Sequence, residues 1–62
     1  MPVITVEGPQ IDRERKRELV EGITETASQI YRMPKGSIVV LIKENQAENV
    51  AVGGSLICDS SD

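Results

Sequence analysis

Three features of this 62-residue chain predict a small α+β fold: a β-α-β unit with two parallel strands, followed by a C-terminal β-hairpin. A short β-branched run at the amino terminus precedes about 20 residues of helical periodicity, and a continuous apolar run follows them. Strand, long helix, strand is the pattern of parallel pairing through a right-handed crossover. A glycine pair between two short β-prone runs then reads as the hairpin. One domain is expected over residues 1–62, with 59–62 a frayed tail.

Val3-Ile4-Thr5-Val6 is β-branched and closed by Gly8-Pro9, which makes it the first strand and the turn after it. Asp12 is placed to cap a helix, and Glu14 adds negative charge to its first turn, where the helix dipole favours it. Leu19, Val20, Ile23, Ala27, Ile30 and Tyr31 recur at helical spacing on one face, so Tyr31 is assigned to the core rather than to catalysis. Glu18, Glu21 and Glu25 fall off that stripe, as a solvated side does. Pro34 disfavours helical geometry at Met33 and ends the helix near Arg32, after roughly 30 Å. Residues 37–43 form the second strand, in which Ile38-Val39-Val40-Leu41-Ile42 is apolar without alternation, typical of a strand covered on both faces. One helix covers one face. The other face requires a second subunit. In the tail, Gly53-Gly54 separates two short runs and Cys58 reads as a small buried hydrophobe.

Composition narrows the function. Seven basic and ten acidic side chains leave a net charge of -3, with no basic run to track a phosphate backbone. One tyrosine and no Phe or Trp provide no stacking platform, so nucleic acid is not an expected partner. No apolar run is long enough to span a membrane, and no membrane partner is expected. A single cysteine forms no disulfide within the chain, which fits a reducing cytoplasm. With no histidine, the usual zinc sets and His-activated nucleophiles are excluded, and no cofactor or metal is implied. A chain of this size buries only about 60% of its unfolded surface, so association is expected to complete its core.

The remaining chemical candidate is Pro2. Removal of Met1 exposes a secondary amine at the start of a strand; retention of Met1 leaves the same nitrogen an amide with no basic lone pair. An α-amino group titrates near 7.7–8.0 in its ordinary state, roughly, and an apolar setting lowers that by disfavouring the ammonium form. Such an amine is a general base at neutral pH. The structural alternative is a proline that opens an edge strand where no N–H donor is needed.

Met1-Pro2-Val3-Ile4, the long amphipathic helix, Pro34-x-x-Ser37-Ile38-Val39-Val40-Leu41-Ile42, the acid Glu44 and Val52-Gly53-Gly54 together resemble the 4-oxalocrotonate tautomerase family, over essentially the whole chain. The resemblance implies β-α-β subunits assembled as a homohexamer, a trimer of dimers, acting on a small organic acid. It also implies that Pro2 is the general base in keto–enol proton transfer.

Departures from the family pattern are specific. Its best-known members carry one arginine in the loop after strand one and another early in strand two. Here that loop reads Gly8-Pro9-Gln10-Ile11-Asp12, about two residues longer and without arginine, and the strand-two position is Val39. A pocket phenylalanine of those members aligns with Val50. Arg13, Arg15, Arg32 and Lys35 are therefore the candidates to bind a substrate carboxylate, beside Val39 and Val50 as pocket residues. Weak activity on dicarboxylates follows, with smaller or monoacid enols relatively favoured. Two alternatives share the scaffold: a noncatalytic oligomer, or proline-dependent hydration or dehalogenation of an unsaturated acid.

Overall fold

The computed structural model describes residues 1–59. Strand β1 (Val3–Gly8) leads to helix α1 (Arg13–Tyr31), and a single 3-10 turn (Lys35–Ser37) precedes strand β2 (Val39–Glu44). The two strands pair in parallel, from Val3 opposite Val39 to Gly8 opposite Glu44. A second 3-10 turn (Ala47–Asn49) leads into a hairpin of two-residue strands, β3 (Ala51–Val52) and β4 (Ser55–Leu56), and Ile57–Asp59 form a last 3-10 turn. Beyond Asp59, the expected frayed tail lies outside the described residues.

Local chemistry sets the boundaries. Asp12 caps α1, its Oδ1 accepting the Arg15 N–H at 2.8 Å, and Glu14 lies in the first turn as expected. At the other end Arg32 adopts a left-handed conformation (φ 57°), and both its N–H and that of Met33 donate to the Ser28 carbonyl. Pro34 stops α1 but also nucleates the 3-10 turn, its carbonyl accepting the Ser37 N–H at 2.9 Å. For that reason β2 begins at Val39, two residues after its expected start at Ser37; β1, for its part, runs on through Gly8. In the hairpin Gly53 (φ 61°) and Gly54 (φ 87°) both take positive φ, the requirement of a type I′ turn.

A left-handed non-glycine residue costs about 1–2 kcal/mol. Arg32→Gly is therefore expected to raise stability by about 1 kcal/mol, read as a higher thermal midpoint. An unchanged or lower midpoint would mean that the Arg32 side chain holds contacts worth as much as the strain.

Alternation along the strands divides the sheet into two unlike faces. Ile4, Val6, Val40 and Ile42 are half-buried under α1, where Leu19, Ile23 and Ala27 border an open apolar groove with Ile4. The opposite face carries Val3, Thr5 and Glu7 of β1 beside Val39, Leu41 and Lys43 of β2; Val3 is 54% exposed and Leu41 48%. Among the described residues only Ala27 and Ile38 are buried, at 8% and 9% exposure, and no large side chain is fully enclosed. Three core assignments are corrected. Ile30 and Tyr31 are exposed because a 19-residue helix of about 28 Å outruns six-residue strands of about 20 Å, and its last turn overhangs the sheet. Cys58 is exposed too, since it lies in the 3-10 turn Ile57–Asp59 that follows the hairpin, outside the β1-β2 sheet and its helix.

The chain is long rather than round, 44 × 24 × 15 Å, with a radius of gyration of 15.1 Å. A compact domain of this length would have roughly 10.6 Å. It exposes 5030 Å², against about 3,950 Å² for a folded monomer of its mass. Among the described residues no helix is long and apolar enough to cross a membrane.

Candidate active site

Parallel pairing puts the starts of both strands at one end of the sheet. There Pro2 is half-buried, and its carbonyl accepts the Val39 N–H at 3.0 Å. Val39 thus sits beside Pro2, while Ile38, next to it in sequence, is buried. Because α1 runs back along the sheet, its C-terminal cap returns to this same end, bringing Arg32 and Lys35 with it. Lys35 is engaged, its Nζ 2.6 Å from Glu25 Oε2. That hydrogen bond and its charge raise the Lys35 ammonium above its ordinary range and lower the Glu25 carboxyl below its own. Both groups are solvent-exposed, so the pair adds little to stability. Arg32 is exposed and, among the described residues, makes no ion pair.

Arg13, Arg15 and Val50 lie at the other end, one strand length or about 20 Å away. Val50 lines a cavity of about 300 Å³ with Gly8, Pro9, Ala47 and Ile57, apolar apart from Glu7 and Asn45 at its wall. Arg13 and Arg15 are exposed on the first turn of α1 and, among the described residues, form no ion pair. The chain therefore gathers Pro2, Val39, Arg32 and Lys35 at one end and leaves Arg13, Arg15 and Val50 at the opposite one.

A second cluster binds that far end together. Glu44, the last residue of β2, accepts the Ile11 N–H through Oε2 at 3.0 Å and meets Lys16 Nζ through Oε1 at 3.0 Å. The Ile11 hydrogen bond first, and the Lys16 ammonium second, hold its carboxyl below the usual carboxylate range against some desolvation. Lys16 had no assigned role in the sequence reading, although a signal was present. Glu44 shares strand parity with Val40 and Ile42 and so faces the helix, and a charge on a covered face needs a partner. Among the described residues no group of three or more His, Cys, Asp or Glu is arranged to hold a metal ion.

Known proteins share this architecture. A family model described as "Tautomerase enzyme" matches residues 2–60. DmpI from Archaeoglobus fulgidus is 52% identical, with 94% of this chain and 100% of that one covered and a TM-score of 0.86. A 4-oxalocrotonate tautomerase homologue is 33% identical over the full length of both chains, TM-score 0.89. DmpI from Helicobacter pylori is 27% identical over 94% of this chain and 98% of that one, TM-score 0.81. No curated protein matches the sequence. With its strand order, its C-terminal hairpin and its proline-led first strand all covered by one family model, the chain belongs to the tautomerase family.

Proposed function

We propose that the chain, once processed to begin at Pro2, is an isomerase that interconverts the enol and keto forms of a small unsaturated 2-oxo acid within a homohexamer. Pro2 takes a proton from the substrate and returns it to another of its atoms, so that the amine is regenerated and atoms and charge balance. One observation carries the reading: the groups such a site needs are split between the two ends of a single elongated subunit. A twofold-related neighbour, running antiparallel, lays its far end against the Pro2 end, and each such pair completes two sites at once. The half-burial of Pro2 and the apolar side chain of Val39 beside it favour the uncharged amine.

In this reading the anion of the substrate is met by Arg13 and Arg15 of the partner subunit, since Lys35 is held by Glu25. The open sheet face, with Val3 and Leu41 exposed, is the surface that a further subunit covers. Relatives carrying the 4-oxalocrotonate name point to an unsaturated 2-oxo acid as the substrate class. Val39, where the best-known members have arginine, favours an acid with one carboxylate over one with two.

The test compares two preparations of the same protein. Processed chain is expected to ketonise a 2-hydroxydienoate, and chain retaining Met1 to be at least about 10²-fold slower, because an amide nitrogen is not a base. Equal rates from both would refute the role of Pro2 and favour a noncatalytic oligomer.

A further inference from the structure

We propose that Glu44 is a positioning residue for the site, fixing the segment 9–15 and with it the arginines that bind the substrate anion; this rests on the reading that Arg13 and Arg15 of the partner subunit supply the positive charge.

Residues 9–12 join β1 to α1 and lie outside regular structure. Their flanks are also held: the Gly8 carbonyl accepts the Asn45 N–H across the sheet at 2.9 Å, and Asp12 caps the helix. The middle of the loop is tied to the sheet by the Ile11 N–H on Glu44, a contact between residues 33 apart in sequence. The other oxygen of the same carboxylate holds Lys16 on the first turn of the helix. One side chain at the end of β2 therefore grips the loop before Arg13 and the helical turn after Arg15. The two arginines lie between its two points of attachment. The grip is partly shielded, with side-chain exposure of 23% for Glu44 and 36% for Lys16. Its neighbour on β1 is Gly8, which brings no competing side chain.

A longer loop would ordinarily place its cations with less certainty, since each added residue adds backbone freedom. Two bonds to one carboxylate, on either side of the arginines, restore a defined position. Loss of that definition weakens binding of substrate and transition state alike, which raises KM and leaves kcat nearly unchanged.

The experiment uses processed, full-length oligomer and a 2-hydroxydienoate as substrate. Glu44→Ala is expected to raise KM about 10-fold with kcat within about threefold. Glu44→Gln keeps an oxygen for the Ile11 N–H and drops the charge facing Lys16, so its KM should rise only about threefold, which guards against simple misfolding. Arg13→Ala with Arg15→Ala should raise KM by about 10-fold or more, and adding Glu44→Ala to that pair should change it less than about twofold. Amide exchange at Ile11, measured by NMR in Glu44→Ala, should be faster. An unchanged KM in Glu44→Ala alongside faster Ile11 exchange overturns the proposal, as does a full 10-fold effect in the arginine-free background. A KM indifferent to the arginine variants alone defeats the underlying assignment of the cation, and the proposal with it.

Discussion

Pro2→Ala in the processed chain is expected to lower kcat/KM for a 2-hydroxydienoate by about 10²–10⁴-fold, the usual contribution of a positioned general base. That loss corresponds to about 2.7–5.5 kcal/mol of transition-state stabilisation. Alanine still provides a terminal amine. What it lacks is the ring, which fixes the direction of the nitrogen lone pair, and the second carbon that makes proline the stronger base. Because Pro2 is held by the bond from the Val39 N–H to its carbonyl, the ring nitrogen has a defined position relative to the sheet. In a primary amine at the same place the lone pair turns freely about the N–Cα bond and points at the substrate only part of the time. The acidic limb of the kcat/KM–pH profile should move in the variant, since it reports the essential base of the free enzyme. A variant within twofold of the parent, with the same acidic limb, would remove Pro2 from the chemistry.

Leu41→Asp is expected to break the assembly without placing a buried charge inside the subunit itself. Leu41 stands on the sheet face that α1 does not cover and is 48% exposed within one chain, so the isolated unit can solvate the new carboxylate. In an assembly that covers this face the charge would be buried without a partner, at a cost of several kcal/mol per copy. Closed symmetry repeats the cost at every equivalent contact. Light scattering at micromolar concentration should therefore show six chains for the parent and fewer for the variant. An unchanged assembly would place the subunit contacts elsewhere. The same face carries Glu7 and Lys43 toward its other end, so the apolar part of the contact is confined to Val3, Val39 and Leu41 near Pro2.

The elements themselves were legible because each rests on local chemistry. Asp12, Pro34 and Gly53-Gly54 act on their immediate neighbours, and the helix start, helix end and hairpin follow from them. Misreadings came where length or long-range geometry decides. Tyr31 lies on the apolar stripe, yet nothing in a periodicity says that the sheet is shorter than the helix above it. Pro34 stops the helix as its chemistry requires, but the 3-10 turn it also starts consumes Ser37 and delays β2. The candidate site was legible in part: parallel pairing alone sets Pro2 beside the start of β2, near Arg32 and Lys35, with Arg13 and Arg15 at the opposite end. The place of Val50 depends on the turn Ala47–Asn49 after β2, which no pattern in the sequence announces. Lys16 and Glu44 meet across 28 positions of sequence, and parity hinted at the need for a partner without naming it.

The near-absence of an internal core also governs how the protein exists in a cell. With Ala27 and Ile38 alone less than a tenth exposed among the described residues, much of the apolar burial that would stabilise a subunit is deferred to association. Folding and assembly then become one concentration-dependent event. For a hexamer, each hundredfold dilution removes about 2 kcal/mol of stabilisation per chain by mass action. A newly synthesised subunit that has not met its neighbours still displays Val3, Leu41, Val52 and Ile57, the kind of surface that proteases and chaperones recognise. Abundance should consequently show a threshold in synthesis rate, below which orphan subunits are cleared and above which stable assemblies accumulate. A dilution series in the light-scattering measurement reads the same equilibrium directly.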